Sequence, residues 1–392
     1  MNKGEHIYMD HGASTPVRDE VIEAMLPFWS TRYGNPAAVH RYGQEASHAL
    51  ERARSDVARV LNANPEEIVF TGCGSESDNL ALRGAMFAAR KNDAGNHLIT
   101  SIIEHKAVLD TAIQLRDLFD FDLTILPVDG HGQVDPGDVE AAIRPDTVLV
   151  SIMAANNEIG TLQPIGDIGG LVRQHGALFH TDAIQAAAVT NWDMRAMPVD
   201  LLSLAPHKFY GPKGIGILYV RQNVELVSTL TGGGQENGRR AGTVNVPFAV
   251  GAAKALALAL EEKDESTAQY ARLTARLTDG LLGSLPGDCI QTGHPIKRLP
   301  HNASFAFRDL GGNDLLIHLD LVGISASSGS ACLTGDPQPS AILEALGLGN
   351  QWTKGGLRLT VGRQNTLEHV DYVLETIPTI VNRLGHLTAR YT

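Results

Sequence analysis

Residues 147–153 read TVLVSIM, a run in which only Thr147 and Ser151 are polar. Such a run is typical of a strand in a parallel sheet that is covered on both faces, because neither face then meets water. Similar apolar runs precede and follow it, and segments with helical spacing separate several of them. The runs cover residues 97–101, 123–128, 177–181, 201–204 and 214–220, and helices are predicted at 106–118 and 136–143. This alternation predicts an α/β fold with a mostly parallel sheet, which binds ligands at the carboxyl ends of its strands.

The composition changes near residue 261, where an Ala- and Leu-rich helix gives way to the charged sequence EEKDEST. Beyond this point the patterns predict strands at 303–307 and 356–361 and helices at 315–321, 340–346 and 367–384. We therefore expect two domains. The large domain covers residues 15–260, and a smaller α+β domain consists of residues 1–14 and 261–392.

Charge and composition exclude several classes of protein. The 392 residues include 32 basic and 44 acidic side chains, a formal net charge of −12, so we expect no direct binding to nucleic acid or anionic membranes. The three cysteines, at positions 73, 289 and 332, are odd in number and widely spaced, which favours a reducing compartment over a disulfide framework. No apolar stretch approaches the roughly 18 residues of a membrane span, and no signal peptide is apparent, so a cytoplasmic protein is expected.

Lys208 differs from the other lysines, of which the chain has only nine in total. It follows the apolar run DLLSLA and lies in HKFYGPKG, residues 207–214. A lysine just beyond a central strand can be desolvated, which lowers its pKa as Schiff-base chemistry requires. From this local context alone, a surface turn lysine is an equally good interpretation.

Two further segments suit a charged ligand. The Gly-rich turn TGCGSES, residues 71–77, precedes a helical pattern, and backbone N–H groups at a helix start bind anions such as phosphate. Asp182 follows the apolar strand ending at residue 181, and a buried acid there needs a cation, such as the protonated nitrogen of a pyridine ring. Taken singly, both segments are also compatible with ordinary helix N-caps.

A lysine for Schiff-base chemistry, a phosphate turn and a strand-end acid on an α/β sheet together predict a site for pyridoxal 5′-phosphate (PLP). Several longer strings then carry a resemblance that spans nearly the whole chain. They are YGNP (33–36), TSIIEHKA (100–107), NNEIG (156–160), HKFYGPKG (207–214), GGGQENGRRAGT (232–243) and SSGSAC (327–332). The sequence resembles cysteine desulfurases of the NifS/IscS type, in the class V aminotransferase family. The fold this implies is PLP fold type I, a large domain with a seven-stranded, mostly parallel sheet and a smaller α+β domain.

The resemblance implies roles for residues at matching positions. Those that would bind the cofactor are Lys208, Asp182, Gln185, His105, Gly74, Ser75, His207, Asn156 and Thr243. Lys208 and His105 would also be catalytic, and Arg358, Asn156 and Asn35 would bind the substrate, L-cysteine. Thr243 would reach the phosphate of the partner subunit, which implies a homodimer. Alone, His105 and Asn156 would be interpreted as capping and turn residues, and Arg358 as part of a structural ion pair.

Cys332 would carry the distinctive chemistry by taking the substrate sulfur as a persulfide. A small, polar Gly/Ser segment suits a reactive thiol better than an inert buried one. Cys289, next to Ile290, is predicted to be a buried, inert side chain that only packs in the core. Cys73 is predicted to be a small packed side chain, although an oxidisable thiol within the phosphate turn could affect the cofactor.

The predicted activity is thus PLP-dependent removal of sulfur from L-cysteine, giving L-alanine and a persulfide on Cys332 that passes to a sulfur acceptor or scaffold protein. Iron–sulfur cluster assembly, tRNA thiolation and DNA phosphorothioation are all compatible destinations, and no metal site is predicted. The alternatives are a selenocysteine lyase, another class V lyase or aminotransferase, and a non-catalytic sulfur-relay protein. A plain transaminase needs no loop thiol, which argues against that alternative.

Overall fold

The computed structural model describes residues 6–328 and 339–388. The strands are β1 (Ile7–Tyr8), β2 (Ile68–Thr71), β3 (His97–Ser101), β4 (Asp122–Leu126), β5 (Thr147–Ser151), β6 (Leu178–Asp182), β7 (Leu201–Leu204), β8 (Gly216–Val220), β9 (Cys289–Gln291), β10 (Asn302–Phe307), β11 (Ile324–Ser325) and β12 (Gly356–Thr360). The α-helices are α1 (Asp19–Met25), α2 (Pro27–Ser30), α3 (Arg41–Val60), α4 (Gly74–Lys91), α5 (Lys106–Phe119), α6 (Pro136–Ala142), α7 (Ile165–Gln174), α8 (Val246–Glu261), α9 (Lys263–Ser284), α10 (Gly312–Asp320), α11 (Ala341–Ala345), α12 (Asn350–Thr353) and α13 (Leu367–Thr388).

Seven strands form the central sheet, in the order β2-β8-β7-β6-β5-β3-β4. All adjacent pairs from β7 to β4 are parallel, whereas β8 runs antiparallel to both β2 and β7. The prediction of a mostly parallel sheet in an α/β fold is therefore confirmed. The reversal of β8 follows from the short connection between β7 and β8, because a parallel crossover needs a dozen or more residues.

Both faces of this sheet are buried, which explains the unbroken apolar runs. Leu149 and Leu201 face the layer formed by α4 and α5, while their chain neighbours Val150 and Leu202 face the core that contains residues of α3, α7 and α8. All four side chains are completely buried. Burial of each such side chain stabilises the fold by about 1.5–3 kcal/mol, so the pattern at 147–153 reflects a real energetic requirement.

A second core forms around the antiparallel sheet β12-β10-β9, against which α9 and α13 pack. The N-terminal strand β1 pairs in parallel with β11, and Ile7 and Met9 are buried in this second core. The first residues of the described chain therefore pack with residues from its C-terminal third. The exact domain boundaries stay a prediction.

Helix α13 confirms the helix predicted at 367–384 and is amphipathic. Val370, Val373, Ile377 and Ile380 repeat at helical spacing and are buried against the second core. Within the described residues, no helix combines the length and the apolar composition that crossing a bilayer would require.

One buried ion pair ties α3 to the segment that carries Thr243. The Arg54 guanidinium donates to both carboxylate oxygens of Glu236, at 2.8 and 2.7 Å, and the backbone N–H of Phe70 also donates to Glu236. The side chain of Glu236 has no exposed surface, and that of Arg54 is 7% exposed. The pair therefore depends on the contacts its two members make with each other.

We expect Arg54→Met to lower the free energy of unfolding by about 3–5 kcal/mol, because it leaves the Glu236 carboxylate buried without its cation. Denaturant unfolding of the apoprotein measures the effect. Arg52→Met is the matched control, since Arg52 lies on the same helix but is exposed. Equal unfolding midpoints for the two variants would contradict the prediction.

Candidate active site

Lys208 follows β7 in a short helical turn, Pro206–Lys208. Its Nζ donates to the carbonyl oxygens of Gly12 at 2.7 Å and Ala13 at 2.9 Å. Burial, with a smaller contribution from the nearby Arg358, lowers the pKa of this amine to about 8. Roughly a tenth of the amine is therefore neutral at pH 7, against less than a thousandth for an ordinary lysine. This lysine is suited to nucleophilic and proton-transfer chemistry.

Asp182 is the last residue of β6 and is buried. Burial raises the pKa of its carboxyl group, while a hydrogen bond from the Ile184 N–H and the charges of His105 and Lys208 lower it. A cation placed next to this carboxylate would relieve the cost of its burial. Gln185, three residues further along, donates to the carbonyl oxygen of Gly12 at 3.0 Å.

Helix α4 begins at Gly74, and its first N–H groups have no intrahelical acceptor, so they can bind an anion. A Cβ at Gly74 would come within 2.4 Å of Ile184 Cδ1 and 3.1 Å of the Ala205 Cβ, so a larger residue would have to displace the Ile184 side chain. Cys73 is the N-cap residue, and its Sγ accepts a hydrogen bond from the Glu76 N–H at 3.4 Å. Ser75 is exposed. The helix start is thus pressed against the loop that follows β6.

Two histidines border the same space. His105 is the N-cap of α5, and its Nδ1 accepts a hydrogen bond from the Ala107 N–H at 3.1 Å. His207 lies 3.4 Å from the Ser14 hydroxyl, measured from Nδ1 to Oγ. Burial, with the charges of Lys208 and Lys213, lowers the pKa of His207 to about 4, so its ring is neutral at pH 7. A neutral ring can donate a hydrogen bond to a phosphate oxygen.

Arg358 projects from β12, and its guanidinium makes two polar contacts. Nη2 donates to Asp10 Oδ1 and Nη1 donates to the Asn157 carbonyl oxygen, both at 2.8 Å. These two contacts use two of the five guanidinium N–H groups. Among the described residues Nε has no hydrogen-bond partner, so it can still donate to a carboxylate.

These side chains line one cavity of about 250 Å³. The predicted site residues found there are Gly74, Ser75, His105, Asp182, Gln185, His207, Lys208 and Arg358. A larger groove of about 920 Å³ between α3 and α8 contains none of the predicted site residues, so size alone does not locate the site. The cavity instead combines a nucleophilic amine, a buried acid, a helix N-terminus and an arginine.

The class V aminotransferase family model matches residues 7–373. The chain belongs to the class V aminotransferase family. A relative from Methanosarcina thermophila, named cysteine desulfurase IscS, is 47% identical over 382 residues, covering 97% of this chain and 93% of the relative. A solved NifS-like protein has a TM-score of 0.90 at 37% identity and covers 97% of this chain and 100% of its own. SspA in complex with cysteine has a TM-score of 0.79 at 37% identity, covering 91% and 98% respectively. These structural neighbours support the predicted fold type I architecture.

Membership of the class V aminotransferase family implies a PLP cofactor. The residues that line the cavity have the chemical properties that this cofactor needs. It offers an amine of lowered pKa at Lys208, a buried carboxylate at Asp182 that a pyridinium would balance, and a helix start at Gly74 that can receive a phosphate. The residues present therefore fit PLP.

Three predicted site residues do not line this cavity. Asn156 is completely buried, and its amide group donates to the Ile103 carbonyl and accepts from the N–H groups of Glu158 and Ile159, which shapes the loop. Asn35 and Thr243 line a separate pocket of about 400 Å³. Their functional roles stay predictions.

The two cysteines that the structure describes, Cys73 and Cys289, differ in exposure. Cys289 is buried, and burial raises the pKa of its thiol to about 12, so it is inert. Cys73 has a free thiol, is exposed, and lines the cavity instead of being a packed side chain. Cys332 lies outside the described residues. On either side of that segment, Ser327 pairs with the backbone of Arg358, and the Ser340 hydroxyl donates to Glu158 at 3.3 Å.

Sequence reasoning missed the contribution of the N-terminal segment. Asp10 binds Arg358, and the carbonyl oxygens of Gly12 and Ala13 accept from Lys208. Backbone acceptors carry no side-chain signature, so no motif could have identified Gly12 or Ala13. Asp10 could have been found, because it is an acid that directly follows the apolar residues Ile7, Tyr8 and Met9.

Proposed function

We propose that this class V chain is a PLP-dependent cysteine desulfurase. The observation that carries the proposal is the single cavity in which Lys208, Asp182 and Arg358 meet. This set suits a cofactor-bound amino acid. Lys208 supplies the amine, Asp182 supplies a negative charge for the ring nitrogen, and Arg358 supplies the group that binds the substrate carboxylate. The names of the relatives, and the cysteine bound to the SspA neighbour, support cysteine as the substrate.

In this proposal each side chain has one task towards the cofactor. Lys208 would hold it covalently, Asp182 would pair with the ring nitrogen and Gln185 would donate to the ring oxygen. The N–H groups at the start of α4, with Ser75 and His207, hold the phosphate. When bound, PLP withdraws electrons from the Cα of an amino acid and so weakens the bonds around it.

The substrate is held by its carboxylate on Arg358, whose planar fork can bind both oxygens. Once the substrate amine has replaced it on the cofactor, Lys208 Nζ would be free to take the Cα proton, which a neutral amine can do at physiological pH. His105, at the N-terminus of α5, exchanges protons with the substrate. The Cys332 thiolate then attacks the substrate sulfur.

Atoms and electrons balance in this last exchange. A new S–S bond forms at Cys332, and the C–S bond breaks with its electron pair going to the substrate carbon. That carbon takes up a proton and becomes the methyl group of alanine, while the transferred sulfur is oxidised to the persulfide level. A sulfur acceptor or a thiol reductant then empties Cys332.

We further propose a homodimer in which Thr243 reaches the partner's phosphate. The support is the position of Thr243 and Asn35, which share a pocket separate from the cavity that contains Lys208. A reducing, cytoplasmic location is supported by the free thiols of Cys73 and Cys289. The sulfur is passed to an acceptor or scaffold protein, for example in iron–sulfur cluster assembly.

Purified protein incubated with PLP, L-cysteine and a thiol reductant tests the proposed activity. We expect sulfide and L-alanine in equal amounts, because each turnover moves one sulfur and leaves one alanine. Pyruvate and ammonia in place of alanine would instead indicate a lyase. Turnover of selenocysteine but not cysteine would support the selenocysteine lyase alternative. Turnover of neither substrate would contradict both the desulfurase and the selenocysteine lyase hypotheses.

A further inference from the structure

Beneath Asp182 lies a group of buried polar side chains that the proposed mechanism does not use. We call Asp78, Ser151, His180 and Ser203 the buried polar row; none of the four has any exposed surface. The row lies between the central sheet and α4, and the surrounding layer is apolar. Polar groups in such a layer cost stability unless they are bonded to one another, so their presence calls for a reason.

His180 is the centre of the row. Its Nδ1 is 2.8 Å from the Ser151 hydroxyl, and its Nε2 is 3.1 Å from the Ser203 hydroxyl. Nε2 also lies 3.6 Å from Asp78 Oδ1, which comes from the second turn of α4. The two serines therefore fix the ring from both neighbouring strands. Asp78 only approaches it from the helix above, because neither of its carboxylate oxygens has a hydrogen-bond partner among the described residues.

The row lies next to Asp182 in the central sheet. His180 and Asp182 are two residues apart on β6, so both side chains point to the same face of the sheet. Ser203 is the register partner of Asp182 on β7. Asp78 belongs to the helix that begins at Gly74, so one helix reaches both the predicted phosphate site and the acid beneath the ring.

Asp182 is the one carboxyl group around the row with cationic side chains beside it that favour its charged form. Burial lowers the pKa of His180 to about 3, so this ring is neutral. Burial and the charge of Asp182 raise the pKa of Asp78, and burial raises that of Glu104, from the β3–α5 connection, to about 8. Burial raises the pKa of Asp182 too, but the Ile184 N–H and the charges of His105 and Lys208 oppose this shift.

We propose that the buried polar row is a positioning device for Asp182: His180, fixed by the two serines, holds the Asp182 carboxylate in place as the single anion available to the cofactor's ring nitrogen. This inference rests on the proposed PLP site. Asp78 is neutral in the loaded protein, since a second anion beside Asp182 would have no cation of its own. His180 and Asp78 touch neither substrate nor cofactor and act through Asp182.

The chain offers a matched control for the test. His97, on β3, is also completely buried and is also bonded to two hydroxyls, those of Thr147 and Thr124, each at 2.8 Å. It lies at the amino end of its strand, whereas Asp182 ends β6 at the carboxyl edge. His97→Phe and His180→Phe therefore remove the same kind of buried polar group, but only one of them is beside the site.

We would measure PLP affinity of the apoprotein and the pH midpoint of the bound cofactor's visible absorbance. His180→Phe is expected to weaken cofactor binding by about 10-fold or more, as loss of a residue that orients a ligand-binding group typically does, and to shift the pH midpoint. His97→Phe should lower the apoprotein's melting temperature but leave both cofactor readouts at wild-type values. Equal cofactor affinity and equal pH midpoints in the two variants would overturn the proposal.

Two further variants keep the test decisive if His180→Phe does not fold. His180→Gln retains hydrogen-bonding groups and should lie between wild type and Phe in both readouts. Asp78→Asn should leave the pH midpoint unchanged, because a neutral amide replaces a neutral acid; a shift would show that Asp78 is an anion and refute the proposed charge arrangement. The readouts are optical, so a protein that binds PLP but releases no sulfide would disprove the proposed function while still testing the row.

Discussion

Lys208→Ala is expected to abolish sulfide and alanine formation, with a loss of about 10⁴-fold or more, because the substitution removes both the covalent anchor and a proton-transfer group. No other lysine lines the cavity, so within the described residues none can replace it. The purified variant should lack the visible absorbance of lysine-bound cofactor. Sulfide release and absorbance spectra measure the two losses separately.

The lowered pKa of Lys208 also predicts how cofactor capture depends on pH. With the pKa of Lys208 lowered to about 8, the neutral amine becomes more abundant as pH rises to about 8 and then levels off. The rate at which the apoprotein captures PLP should therefore rise with a midpoint near pH 8. An ordinary lysine would give a midpoint near its usual pKa of about 10.4.

Lys213→Ala is the control, since Lys213 lies in the same HKFYGPKG segment but is exposed. It should keep the absorbance, the turnover and the midpoint of cofactor capture. If Lys208→Ala retained the absorbance while Lys213→Ala lost it, the cofactor anchor would have been assigned to the wrong residue.

The sequence predicted the central sheet well because burial on both faces restricts a strand to apolar residues. β3, β5 and β7 begin where their apolar runs begin, at His97, Thr147 and Leu201. The pairing of β1 with β11 could not be predicted in the same way. Each of these strands has two residues, too few to show a period, and their pairing joins positions more than 300 residues apart.

The site was predictable where a side chain carries the chemistry and less so where the backbone does. Lys208 and Asp182 were identified from residue type and position and Arg358 from the family resemblance, and the structure brings all three to one cavity. The acceptors of the Lys208 amine, Gly12 and Ala13, are carbonyl groups that any residue provides. Asn156 shows the converse: the resemblance implies substrate binding, but the fold uses its polar atoms to bind the backbone of Ile103, Glu158 and Ile159.

Cys332→Ala is expected to retain the cofactor and its absorbance but to lose sulfide release by about 10²-fold or more, because removing an essential nucleophile leaves the rest of the site intact. Cysteine should still perturb the cofactor's spectrum in this variant. Mass spectrometry of the wild type after a single turnover should find one additional sulfur atom on the peptide that contains Cys332.

The other two cysteines make this test selective. Cys289 is an unsuitable acceptor, because burial raises the pKa of its thiol to about 12 and leaves almost no thiolate at neutral pH. Cys73 is the real competitor, since it is exposed, lines the same cavity and caps the helix that begins at Gly74. Cys73→Ala should therefore keep its sulfide release if Cys332 is the acceptor. Loss of sulfide release in Cys73→Ala, with full release in Cys332→Ala, would show that Cys73 carries the persulfide and would contradict the assignment of Cys332 as the sulfur acceptor.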